Sequence, residues 1–196
     1  RFLRAMYYYH LMDCFGNIPF LTEVASEPAP QATRQEVYNF IESELLEIES
    51  TMSAPMTGTY GRADQAAAWM LLARLYLNAE VYTGTAQWAK AAEYAQKIMN
   101  SAYKLHTQGS HDAVNNKDWS AYQMLFMGDN GENGAQCEAI LPLLQDGITT
   151  TSWGTSLFLM ASTFKDDMTI VGAATNNVAG QAWAGNRCRP EFVKKF

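Results

Sequence analysis

Residues 63–101 read ADQAAAWMLLARLYLNAEVYTGTAQWAKAAEYAQKIMNS. The first part predicts a helix from about Ala63 to Tyr82. It is rich in alanine (Ala63, Ala66, Ala67, Ala68, Ala73, Ala79), which permits close approach of a neighbouring helix, and it is apolar around much of its circumference, which predicts burial against several neighbours. Gly84 interrupts the pattern. A second helix is predicted over about Thr85 to Ser101, with an apolar stripe of Trp88, Ala91, Ala92, Ala95, Ile98 and Met99. Two helices joined by so few residues form an αα-hairpin.

Working outward, the clearest helix start lies upstream at Thr33. Thr33 and Glu36 have capping-box spacing: the hydroxyl serves the Glu36 amide and the carboxylate reaches back to the Thr33 amide. Val37, Ile41, Leu45, Ile48 and Met52 follow on one stripe, while Glu42, Glu47 and Glu49 are expected to form a solvated face. Residues 2–14 (FLRAMYYYHLMDC) read as the end of another helix, broken by Gly16 and Pro19, with His10 in the core. Residues 17–32, with Pro19, Pro28 and Pro30, read as an ordered loop, and Pro55, Gly58 and Gly61 mark a second. A tryptophan near a helix start, followed by alanines at helical spacing, looks like a degenerate tetratricopeptide unit.

After Ser101 the helical character fades. Ala102–Leu105 suits a short extended piece, Asp118–Met127 a short helix, residues 128–136 (GDNGENGAQ) a polar loop, and Glu138–Leu144 an edge strand broken by Pro142. From Gly147, Gly, Thr, Asn and Trp dominate and periodicity is lost. The organisation read from this is a helical scaffold over 1–146 and a loop-rich part over 147–196. The fold class is mainly α, with helical hairpins, long irregular loops and a few short strands. The chain opens at Arg1 inside helical patterning and stops at Phe196 without a terminating signal, so a larger protein is expected around it.

Composition narrows the function. Apolar residues make up 48% and charged ones 17%, a balance that demands a packed core. The net charge of −6 argues against a nucleic-acid partner, and no run of apolar residues is long enough to span a bilayer. Cys14, Cys137 and Cys188 show neither disulfide nor zinc spacing and read as small buried residues. His10, His106 and His111 lack metal-ligand spacing. No nucleophile elbow, phosphate loop or dinucleotide fingerprint is present, so no catalytic residue is assigned.

The motifs occur in an order that resembles the SusD/RagB family of outer-membrane glycan-capture lipoproteins. Asp13-Cys14-Phe15-Gly16-Asn17-Ile18-Pro19-Phe20 looks like the family's DxFGxVP signature. Thr33-Arg34-Gln35-Glu36-Val37-Tyr38 is similar to its acidic-helix start. Gly61-Arg62-Ala63 through Ala73-Arg74-Leu75-Tyr76-Leu77, Trp88-Ala89-Lys90-Ala91-Ala92 through Tyr103-Lys104-Leu105, and Glu138-Ala139-Ile140 resemble its later elements. Trp153-Gly154-Thr155 through Asn186-Arg187-Cys188-Arg189-Pro190 looks closer to the starch-binding members. The resemblance implies a tetratricopeptide-like scaffold whose long loops carry the ligand site. It also implies a surface lipoprotein of the outer membrane, held by a lipid anchor outside this segment. Such a protein caps a TonB-dependent SusC-like transporter, and binds starch or other glycans without acting on them.

Within that frame the candidate site residues are chosen by chemistry. A sugar presents a flat apolar ring face and a rim of hydroxyls, so its binder wants an aromatic platform edged by polar groups. Trp183, with Asn186 and Arg187 in a Gly-rich stretch, forms the first such set, and Trp153 among threonines is a second platform. Trp69 and Trp88 read as core, and Trp119 leans the same way. No cofactor is required. Asp129 and Glu132, in the loop Asp129-Asn130-Gly131-Glu132-Asn133, offer hard oxygen donors for calcium, although the loop departs from the EF-hand template and a polar turn explains it as well. Two other readings stay open: a helical protein-interaction scaffold without its own sugar site, and a glycoside hydrolase, which would need two carboxyl groups facing each other across a glycosidic bond.

Overall fold

A computed structural model describes residues 1–144, 149, 185 and 188–195. The chain divides into two compact units, Arg1–Leu143 and Leu144–Phe196. The described elements of the first unit are α1 (Phe2–Phe15), β1 (Ile18–Pro19), β2 (Gln31–Ala32), α2 (Arg34–Ile48), α3 (Gln65–Leu77), α4 (Ala79–Thr83), α5 (Trp88–Met99), β3 (Ser110–Asp112), β4 (Lys117–Trp119) and α6 (Ala121–Met124). The expected class holds: the unit is mainly α, and its described strands form only two short antiparallel pairs, β1 with β2 and β3 with β4. In the second unit, Pro190 at the first helical position opens one turn of helix, α7 (Pro190–Val193). No described helix is long and apolar enough to cross a membrane.

The core follows the helical stripes. α1 packs along α2 and α3 along α5. α2 buries Val37, Tyr38, Ile41 and Leu45, and α3 buries Ala68, Leu72, Leu75 and Tyr76. The Thr33–Glu36 capping box forms as its spacing predicts, with Thr33 N–H donating to Glu36 Oε2 at 2.7 Å and Glu36 N–H to Thr33 Oγ1 at 3.3 Å. The single long helix expected over Ala63–Tyr82 is two helices. Asn78 ends α3: its backbone N–H makes the last ladder bond to the Arg74 carbonyl, and its side-chain amide donates to the same oxygen at 3.2 Å, competing for it. α4 then ends at Gly84, whose left-handed conformation (φ 78°) returns its N–H to the Glu80 carbonyl.

The signature residues around Gly16 act as a joint. Gly16 closes α1 by donating to the Met12 carbonyl at φ 75°, and a Cβ there would lie 2.9 Å from Arg34 Nη2. Asp13 Oδ1 accepts the Tyr82 hydroxyl at 2.6 Å, and Asn17 Oδ1 accepts the Arg34 N–H at 3.0 Å. The motif thus ties α1 to α4 and α2.

Several local expectations are corrected. The stretch 118–127 is the end of β4 followed by α6, which starts at a second capping box, Ser120 with Gln123. Residues 138–144 form no strand; Cys137 accepts one backbone bond from Lys104 at 3.1 Å, and Ile140 and Leu141 pack on the helical core. His10, Cys14 and Cys188 are exposed and Cys137 is half-buried, against the expected burial. Trp69 does pack on the core, but Trp88 is 61% exposed. α5 buries Ala91 and Tyr94: of the expected stripe Ala91 is buried and Ile98 half-buried, while Trp88, Ala92, Ala95 and Met99 are exposed. Trp119 is half-buried, with Lys117 Nζ 3.9 Å from its ring centroid.

The glutamates of α2 are tethered rather than merely solvated. Glu42 accepts the Tyr76 hydroxyl at 2.8 Å and Lys90 Nζ at 3.1 Å. Glu47 pairs with Arg1 at 2.6 Å. Glu44, 7% exposed, takes Arg1 Nη2 at 2.7 Å on one oxygen and Arg4 Nη2 at 2.6 Å on the other. These bonds, Arg1's first, hold its carboxyl below the usual carboxylate range. A carboxyl depressed on folding contributes stability that is fully present above its unfolded pKa and is lost as pH falls through the folded one. Glu44→Gln should therefore lower stability by about 1–2 kcal/mol at neutral pH, since both arginines can partly rehydrate. The difference from the parent should close as the pH drops below the ordinary glutamate range. Chemical denaturation of both chains across that range checks it.

Candidate functional site

α3 is capped by Asp64, and Asp64 organises a cleft of the first unit. It is 4% exposed. Its Oδ1 accepts the Ala66 and Ala67 N–H groups at 2.9 and 3.2 Å, capping the helix. Its Oδ2 accepts the Met56 N–H at 2.9 Å and the Tyr103 hydroxyl at 2.9 Å. Burial, then the bond to Asp64, pushes the Tyr103 hydroxyl pKa upward, so this proton stays in place across the physiological range. One carboxylate thus joins the loop before α3, the α3 terminus and the segment after α5. Met56 is held in the left-handed region at φ 61°, rare for a side chain of its size.

The walls so fixed enclose a cavity of about 440 Å³, within the range of small-molecule clefts. Its lining includes Ser53, Thr59, Tyr60, Arg62 and Gln136, and among the described residues its only charged ones are Arg62 and Asp64, of opposite sign. Tyr60 is 39% exposed, and its ring lies against the 128–134 loop: a Cβ on Gly131 would come 3.2 Å from Tyr60 Cε1. A second groove, of about 330 Å³ between α1 and α3, is lined by apolar side chains such as Phe2, Met6, Met70 and Leu71 together with Tyr9, His10, Arg74 and Glu138.

The residues expected to carry sugar, Trp183, Trp153, Asn186 and Arg187, lie outside the described residues. Asp129 and Glu132 are described, and the loop that carries them closes on itself. The Asp129 carbonyl accepts the N–H groups of Glu132 and Asn133 at 2.8 and 3.1 Å, and its Oδ1 accepts Asn133 Nδ2 at 3.0 Å. Among the described residues no group of three or more His, Cys, Asp or Glu is placed to hold a metal. The Tyr60 cleft was missed in the sequence because its walls come from segments far apart in the chain. Only Asp64, ahead of an apolar run, left a local signal.

Comparison with known proteins agrees with the ordered motifs. Residues 1–77 match a SusD-like family model described as starch-binding associating with outer membrane. The whole chain is 42% identical, over 197 residues, to starch-binding protein SusD of Bacteroides thetaiotaomicron, and spans 32% of that relative's length. A crystal structure of a SusD-like protein from Bacteroides fragilis superposes with a TM-score of 0.51 at 22% identity, covering 68% of this chain and 24% of that one. Surface glycan-binding protein A from Bacteroides uniformis matches with a TM-score of 0.44 at 30% identity, covering 53% of this chain and 24% of that one. The chain is thus similar over its whole length to about a third of a starch-binding SusD protein, and it shares a helical fold with the SusD-like structure.

Proposed function

We propose that the chain serves in a non-enzymatic glycan-binding protein of the outer-membrane surface, which captures starch or its oligosaccharides and passes them to a TonB-dependent SusC-like transporter. The observation that carries this reading is the 42% identity, end to end, with a protein named for starch binding. The outer-membrane setting is supported by the description of the family that matches residues 1–77. On this reading the indoles of Trp183 and Trp153 supply flat faces for sugar rings, and Asn186 and Arg187 reach hydroxyls at the ring edges. The protein does no chemistry on the glycan.

A helical scaffold that only docks a protein is the second reading. It is favoured by two exposed apolar stripes, Leu3, Tyr7, Leu11 and Phe15 on α1 and Trp88 with Met99 on α5. Native affinity electrophoresis in gels containing amylose, pullulan, xylan, levan or pectin separates the two. Retardation in amylose and pullulan is the expected result. A folded chain that runs unretarded in every gel overturns the glycan reading and leaves the scaffold.

A further inference from the structure

We propose that the Tyr60 cleft is itself a carbohydrate site, which takes a short neutral oligosaccharide without help from the tryptophans of the 147–196 part. The inference rests on the glycan-binding reading and extends it to residues that no comparison singles out. The first argument is construction. A nearly buried carboxylate costs free energy unless donors surround it, and Asp64 receives four, from Ala66, Ala67, Met56 and Tyr103. Capping α3 requires only two of these. The other two fix the opposite walls of the cavity and hold Met56 in a backbone conformation that side chains rarely adopt. Strain of that kind gathers where the surroundings fix a binding surface in advance.

The second argument is what the walls offer. Tyr60 presents a partly exposed ring whose position is set by contact with the 128–134 loop. The Arg62 guanidinium makes no hydrogen bond or ion pair within the described residues, and neither do the Ser53 and Thr59 hydroxyls. Gln136 spends its carbonyl oxygen on the Gly134 N–H and keeps its amide hydrogens for another acceptor. An aromatic face edged by hydroxyl, amide and guanidinium donors is complementary to a sugar ring. Among the described residues of the lining one cation and one carboxylate offset each other, which favours a neutral ligand over a uronic acid.

The test uses saturation-transfer NMR with maltoheptaose on the full chain. The parent, the Trp153→Ala/Trp183→Ala variant, and that variant with Tyr60→Ala or Arg62→Ala added are compared, each first shown by circular dichroism to be folded. The double variant should keep a weak but measurable association. Adding Tyr60→Ala should weaken it at least about fivefold, the scale of one aromatic contact, and Arg62→Ala should weaken it to a lesser degree. Binding by the parent but none by the double variant overturns the cleft site and leaves the proposed function standing. Residual binding indifferent to both Tyr60 and Arg62 overturns it too. Oligogalacturonate displacing maltoheptaose from the double variant overturns the neutral assignment. A parent chain that binds nothing removes both readings at once.

Discussion

Asp64→Ala should destabilise the Arg1–Leu143 unit by about 3 kcal/mol, a large share of the ~5–15 kcal/mol that holds an ordinary domain together. Loss of a helix N-cap accounts for about 1 kcal/mol of this. The rest comes from the Met56 N–H and the Tyr103 hydroxyl, which lose their acceptor at 2.9 Å in a part-buried place, at about 1–3 kcal/mol per stranded group and less where cleft water reaches it. Thermal unfolding followed by circular dichroism should show the midpoint fall by about 10 °C. Asp64→Asn should fall in between, because one amide oxygen still caps α3 while the NH2 group faces former donors. Tyr103→Phe removes one donor only, and should cost about 1 kcal/mol. A loss below about 1 kcal/mol for Asp64→Ala would mean that the loop before α3 repacks freely, and the cleft would then have no organiser.

What could be read in the sequence is what is decided locally. The Thr33–Glu36 capping box needs only two residues three apart, and it forms with the expected partners. The α2 stripe needs only spacing, and Val37, Ile41, Leu45 and Ile48 are all buried. On α5 the same reasoning included the buried Ala91 and half-buried Ile98 but missed Tyr94 and took in the exposed Trp88, Ala92, Ala95 and Met99. An alanine-rich helix offers two adjacent faces of similar apolarity, and contact with α3 chooses Ala91 and Tyr94, leaving Trp88 outside. α1 is apolar on nearly every side, so nothing local says that Phe2, Ala5, Tyr9 and Met12 face inward while Leu3, Tyr7 and Phe15 do not. Glu44 meets its arginines across 40 and 43 residues of chain, and Asp64 meets Tyr103 across 39. No window of periodicity reaches so far, which is why the acidic face of α2 and the cleft emerge only in three dimensions. The family resemblance reached further than the periodicity did, because an ordered series of motifs carries information about the whole arrangement.

Trp153→Ala/Trp183→Ala should weaken starch-oligosaccharide binding by about 100-fold. A sugar ring gains little from hydrogen bonds that merely replace those it made to water, about 0.5–1.5 kcal/mol each. The surplus must therefore come from its apolar face, and an indole in a binding surface is worth about 2 kcal/mol or more when truncated. Two such truncations sum to less than twice one, because the rings of one oligosaccharide share the same ordering cost. Asn186→Ala and Arg187→Ala should each cost only about fivefold, the scale of a single polar contact. Titration with maltoheptaose and retardation in pullulan gels measure both. Trp183→Phe separates platform from anchor. A flat ring of smaller area should keep part of the affinity with little change in melting temperature, whereas a side chain whose role is to hold its loop would lose stability and affinity together. If the folded double variant is retarded as strongly as the parent, then starch is held elsewhere, and the Tyr60 cleft, with its ring and its uncommitted donors, becomes the first surface to silence.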